Sequence, residues 1–137
     1  MVAPSSSWHS YVDIAALIRN DNLFEQATAA FEPHIHPGVV SVAVWQGGTT
    51  HAGVEGFRQM WLDWLEPWTS DHASADELID GADFVVVLAR DRGLRDDTDA
   101  EVELISGSVW EVHDKKIVRI QFYGSRADAL EAAGLPE

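Results

Sequence analysis

An α+β fold is what this sequence predicts: a cone-shaped, curved sheet, antiparallel or mixed, wrapped by about three helices and finished by a short C-terminal helix. Three observations predict it. Apolar residues at helical spacing fill the first part of the chain, an aromatic stripe of the same period follows near its middle, and from residue 84 the pattern turns to alternation. Helices first and a strand meander afterwards is the order of an α+β domain, not the βαβ alternation of a parallel sheet. A sheet curved around an aromatic helix leaves a mouth, and such a cone is a natural ligand cavity.

Residues 1–10 read as a flexible Pro-Ser lead and residues 11–137 as one domain. Ile14, Leu17 and Ile18 form one short helical stripe, and Leu23, Phe24, Ala27 and Phe31 form a second. Asn20, Asp21 and Asn22 break and cap the chain between them, and Pro33 ends the pair. VVSVAVW, residues 39–45, is a β-branched strand whose turn is Gly47-Gly48. Phe57, Met60, Trp61, Trp64, Leu65 and Trp68 then give the strongest helical period in the chain, with four aromatic rings on one face and Pro67 near the end.

FVVVLAR, EVELISGSVWEV and IVRIQFY are the later strands, joined by the charged loop RGLRDDTD and the turn HDKK. In the middle one Val102, Leu104, Ser106, Ser108, Trp110 and Val112 share the inward phase, leaving Glu101, Glu103, Glu111 and His113 outside. In the last, Val118, Ile120 and Phe122 point in, and Arg119, Gln121 and Tyr123 point out. Ser125 with Asp128 makes an N-terminal capping pattern, Ala127 and Leu130 give a narrow apolar face, and Gly134-Leu135 suits a C-cap. This terminal helix is expected to fold over an edge or the mouth of the cone.

At 137 residues the chain can bury one core, and 46% hydrophobic residues with six tryptophans belong to a folded protein. Nine Lys and Arg against 23 Asp and Glu give a net charge of -14, which repels phosphate backbones and anionic lipid. Nucleic acid and membrane are therefore not expected partners. With no cysteine, disulfides and thiolate chemistry are excluded. The start MVAPSSSWHS carries no signal-peptide pattern and no apolar run is long enough to span a bilayer, so a cytoplasmic location is the expectation.

The segments HAGVEGFRQMWLDWLEPW, ELIDGADFVVVLARDRG, EVELISGSVWEV and KKIVRIQFYGSRADALEAAGL, in that order, make the chain resemble the SnoaL-like branch of the nuclear transport factor 2-like superfamily. That superfamily also holds ketosteroid isomerases, limonene epoxide hydrolases and polyketide cyclases. The resemblance implies a cone with a deep hydrophobic pocket for a small apolar or polycyclic molecule and a homodimer packed through the outer face of the sheet; it does not select a reaction.

Enzymes similar to this chain use an inward carboxylate as acid or base. At the position of such an acid on the last strand this chain has Phe122, and on the strand after the second helix Ser41 and Ala43 alternate with valines. The epoxide-hydrolase pattern, Arg and Asp two apart on VVVLAR, falls on Leu88 and Arg90. The inner face thus reads as lacking the usual carboxylate. His51, before the aromatic helix, is the candidate base, and Arg90, if it points in, the candidate anchor for an anion or carbonyl. Ser41, Trp45, Phe57, Trp61, Trp64, Leu88, Ser106, Ser108, Trp110, Ile120 and Phe122 are the expected pocket lining. His34 and His36 beside Glu32 lack a third ligand at metal spacing, Asp96, Asp97 and Asp99 read as solvated turn residues, and no metal or cofactor is expected. Two readings stay open, an isomerase, cyclase or hydrolase and a non-catalytic binding or dimerization domain.

Overall fold

The structure, a computed structural model, describes residues 12–136; the predicted lead of residues 1–10 lies outside them. Two helices, α1 (Ile14–Arg19) and α2 (Asp21–Phe31), open the fold. Asp13 caps the first by accepting from Ala16 N, and Asn20 caps the second by accepting from Leu23 N, both at 3.0 Å. A 3-10 turn containing Pro33 ends the pair and leads into β2 (Ile35–Ala43). Gly47 and Gly48, both at positive φ, turn the chain back into β3 (Thr49–Ala52), a short edge strand that lies in what sequence reads as a loop.

Helix α3 (Gly53–Leu65) carries the aromatic stripe and stops before Pro67. Met60 and Leu65 on it are fully buried, and each such side chain contributes about 1.5–3 kcal/mol over exposure. Arg19 closes its C-terminus, donating to the carbonyls of Leu65 at 2.7 Å and Trp68 at 2.6 Å. Trp68 is therefore not the last helical ring: it starts β4 (Trp68–Asp80), a strand of 13 residues that apolar periodicity alone does not signal.

β4 pairs antiparallel with β5 (Phe84–Arg95), which runs on through the first half of the stretch expected as a charged loop. β6 (Glu101–His113) and β7 (Lys116–Tyr123) complete the meander through a two-residue turn in which Asp114 and Lys115 both take positive φ. With β1 (Val12–Asp13) the strands form one open, mixed sheet in the order β1-β4-β5-β6-β7-β2-β3, β2 lying parallel to β7. Its concave face receives α1 to α3.

The terminal helix α4 (Arg126–Ala132), capped by Ser125, closes neither an edge nor the mouth. It lies on the outer face, where Ala129 and Leu130 bury against Val86, Leu88 and Val109. Gly107 permits the approach, because a Cβ there would stand 2.7 Å from that of Ala129. Ala129 rather than Ala127 is thus the second buried residue of the helix. Among the described residues no helix is long and apolar enough to cross a membrane.

Candidate acid-base site

Register decides which side chains reach the inside of the cone. Across β5 and β6, Val87 faces Ser108, Ala89 faces Ser106 and Asp91 faces Leu104. Those β6 residues hold the inward phase, so Ala89 and Asp91 point in, and Leu88 and Arg90 point out. Both expected roles for the latter two are corrected. Leu88 packs beneath α4 on the outer face, and Arg90 is ion-paired there with Asp76 at 3.1 Å and Glu103 at 2.7 Å. Arg126 shares Asp76, and its hydrogen bond, ahead of those from Arg90, holds that carboxyl below the ordinary range. Arg90 and then Arg92 do the same for Glu103.

The reading that the inner face lacks a carboxylate is overturned by two aspartates. Asp91 on β5 lines a cavity of about 190 Å³ with Trp45, Trp61, Trp64, Ser106 and Phe122. Behind it, a crevice walled by Trp64, Trp68, Gly93, Val102 and Leu104 holds Asp71 of β4, 2% exposed. Gly93 is required for that crevice, since a Cβ there would stand 2.8 Å from the Trp68 ring and 2.7 Å from the Ser70 carbonyl. Trp64 Nε1 donates to Asp71 Oδ2 at 3.4 Å, Asp71 Oδ1 has no other hydrogen-bond partner among the described residues, and a protonated Asp91 carboxyl is within hydrogen-bonding reach of Asp71.

Two carboxyls so close and so dry do not both ionise. Burial, then the charge of Asp71 and the hydrogen bond to it, pushes the Asp91 carboxyl up to about 8. Burial also raises Asp71, offset in part by the hydrogen bonds from Asp91 and Trp64. Asp91 is accordingly the protonated partner at neutral pH, and Asp71 carries the charge.

Phe122 does what an apolar residue at an expected acid position can do: it divides the interior. Its ring meets Trp45 at 5.6 Å, Trp61 at 5.7 Å, Trp110 at 6.1 Å and Phe57 at 6.3 Å. On the other side of this cluster lies a second cavity of about 180 Å³, walled by Leu17, Phe24, Phe31, Val54, Phe57, Trp110 and Ile120 among others. Of the expected lining, Trp45, Trp61, Trp64, Ser106 and Phe122 fall on the acidic cavity, and Phe57, Trp110 and Ile120 on the apolar one.

The remaining candidates line neither. Ser108 is buried and accepts from Trp110 Nε1 at 2.8 Å. Ser41 is fully buried beside α3, its Oγ without a hydrogen-bond partner among the described residues. His51 sits half-buried on the edge strand β3, its Nε2 3.3 Å from Thr49 Oγ1, apart from both cavities. His36 Nδ1 accepts from Gly38 N at 2.9 Å, and among the described residues no three His, Asp or Glu side chains are placed to hold a metal ion.

The comparisons with known proteins follow from this architecture. The model of the SnoaL-like domain matches residues 15–120. No curated protein matches the chain. Among solved structures, TerC co-crystallized with polyporic acid aligns at TM-score 0.63 and 20% identity, over 86% of this chain and 89% of its own. A protein assigned as a SnoaL-like polyketide cyclase from Jannaschia sp. aligns at 0.61 and 14% identity, over 100% and 99%. A hypothetical protein with a ketosteroid isomerase-like fold from Catenulispora acidiphila, in complex with trimethylamine, aligns at 0.61 and 18% identity, over 98% and 96%.

Proposed function

Because the chain belongs to the SnoaL-like domain family, we propose that it binds a small, largely apolar molecule in the cavity at Asp91 and exchanges a proton with it there. The observation that carries this reading is the carboxyl pair at the wall of an aromatic cavity. A group whose proton leaves near the working pH serves as either acid or base, and Asp91 is such a group.

Asp91 donates its carboxyl proton to an oxygen or carbon of the ligand, keeping the bonding electron pair as a carboxylate. That leaves two like charges side by side, Asp71 and Asp91, so regaining a proton from another ligand atom is favoured. The sum is a proton moved from one ligand atom to another with none consumed, as isomerisation and ring closure require. Trp45, Trp61, Trp64 and Phe122 hold a flat apolar or polycyclic body, and the Ser106 hydroxyl can orient a polar group. Ketones, polyketides, terpenoids and epoxides have this combination of apolar bulk and a protonatable oxygen. No cofactor is needed for such a step. The setting we propose is a cytoplasmic homodimer.

A purely binding domain is the second reading, favoured by the apolar cavity, which has no titratable side chain among the described residues that wall it. The test is turnover of candidate ketones and epoxides, found by native mass spectrometry of what co-purifies, in Asp91→Asn. A loss of about 10²-fold or more is expected. Unchanged turnover in that variant sinks the acid–base assignment.

A further inference from the structure

We propose that the cavity at Asp91 selects a ligand carrying a positive charge where it meets that carboxyl group, a small amine or quaternary ammonium. The inference rests on the reading that Asp91 is the working group of this cavity, and it names the ligand's charge. A buried carboxyl pair sharing one proton keeps one negative charge, and a buried charge without a counter-ion is costly. No Lys, Arg or His is among the described residues that line the cavity. The groups acting on Asp71 are Asp91, the Trp64 N–H, His72 and Asp13, and His72 is already 3.5 Å from Asp13. The counter-charge is thus left for the ligand to bring.

The walls suit it. Trp45 stands steeply against Trp64 at 61° and against Phe122 at 68°, and Trp61 against Phe122 at 83°. Rings in such a box present electron-rich faces to a central cation, with a carboxylate supplying the charge. The protein already seats cations on its own rings, Arg58 over Phe24 at 4.8 Å and Arg95 over Trp68 at 5.4 Å. Trp68 also walls the crevice of the pair. An anionic ligand would meet the opposite, a negative wall within a chain of net charge -14.

The experiment compares choline with dimethylbutanol, its uncharged carbon isostere, titrated by tryptophan fluorescence and by calorimetry. Choline is expected to bind about tenfold tighter at pH 7, with the ratio widening at pH 9 as Asp91 ionises, because choline's charge is fixed. In Asp91→Asn the preference at pH 7 should persist, because Asp71 keeps the charge, but it should no longer widen at pH 9; in the double variant Asp71→Asn/Asp91→Asn, which removes the charge of the pair, the ratio should fall toward one. Equal affinity for the two compounds, no binding of choline, or a preference that survives the double variant Asp71→Asn/Asp91→Asn overturns the inference. Turnover lost in Asp91→Asn, with both compounds bound alike by the wild type, overturns the cation and leaves the acid–base reading standing. A choline preference that vanishes in the double variant, with turnover unaffected in Asp91→Asn, supports the cation and removes the acid–base role.

Discussion

Replacing Asp91 by Asn should make the protein more stable at alkaline pH while costing it its acid. The carboxyl's ordinary value of 3.8 is raised to about 8 in the fold, so between those values the folded state holds a proton that the unfolded chain releases. Stability from this group is complete below the unfolded value and is lost as pH rises through the folded one. The slope in that window is about 1.4 kcal/mol per pH unit, and from pH 5 to pH 8 the wild type gives up about 2–4 kcal/mol on this account. Asn has nearly the same shape, donates a hydrogen bond to Asp71 as the protonated carboxyl does, and has no proton to lose. Urea unfolding of both proteins at several pH values between 5 and 8 reads the difference directly. The two curves should converge at the acid end and part toward the alkaline end, the variant being the more stable. Parallel curves, or a variant destabilised at pH 8, would refute the shared-proton description of the pair.

Other outcomes are expected from the same geometry. Asp71→Asn removes the charge beside Asp91 and should move the alkaline limb of any turnover profile to lower pH; an unmoved limb would show that Asp71 does not set it. Arg90→Met and His51→Ala should leave turnover within about threefold of wild type, and the exposed ion pairs lost at Arg90 should leave the denaturant midpoint little changed. Phe122→Ala should cost about 3–5 kcal/mol and join the two cavities, which a larger aromatic ligand can report by binding only the variant. Gly107→Val should push α4 from the sheet, at about 1–3 kcal/mol in thermal unfolding. Asp114→Asn with Lys115→Gly relieves two left-handed residues and should stabilise by about 1 kcal/mol; no gain would mean that the turn is not strained.

The helices were legible because α1 to α3 carry their apolar residues at strict spacing, with side-chain caps in place on α1 and α2. β6 and β7 were legible because alternation is clean in both. β4 was not: its inward residues in the first half are Asp71, Ala73 and Ala75, small or charged, and its text reads as a polar loop. An all-apolar β5 start conceals its phase, and assigning Leu88 and Arg90 inward hid Asp91. The signal lay two residues on. Arg90 and Arg92 share a phase with each other and, through register, with Glu103, and three charges in one phase are better solvated outside. That argument sends Asp91 and Gly93 in. The pairing of Asp71 with Asp91 is a contact between strands 20 residues apart, which no local pattern contains.

The register shift in β4 between Ala75 and Glu77 changes how this molecule can diversify. From Asp71 to Ala75, odd-numbered residues look into the cone; after the shift, Ile79 looks out to the layer beneath α4 and Leu78 takes the inner side. One strand is therefore two instruments joined end to end, the first half tuning chemistry and the second anchoring the scaffold. Substitutions in 69–75 can reshape the reactive wall without loosening the helix at the far end. Loss of the single extra residue would exchange the duties of every side chain beyond it.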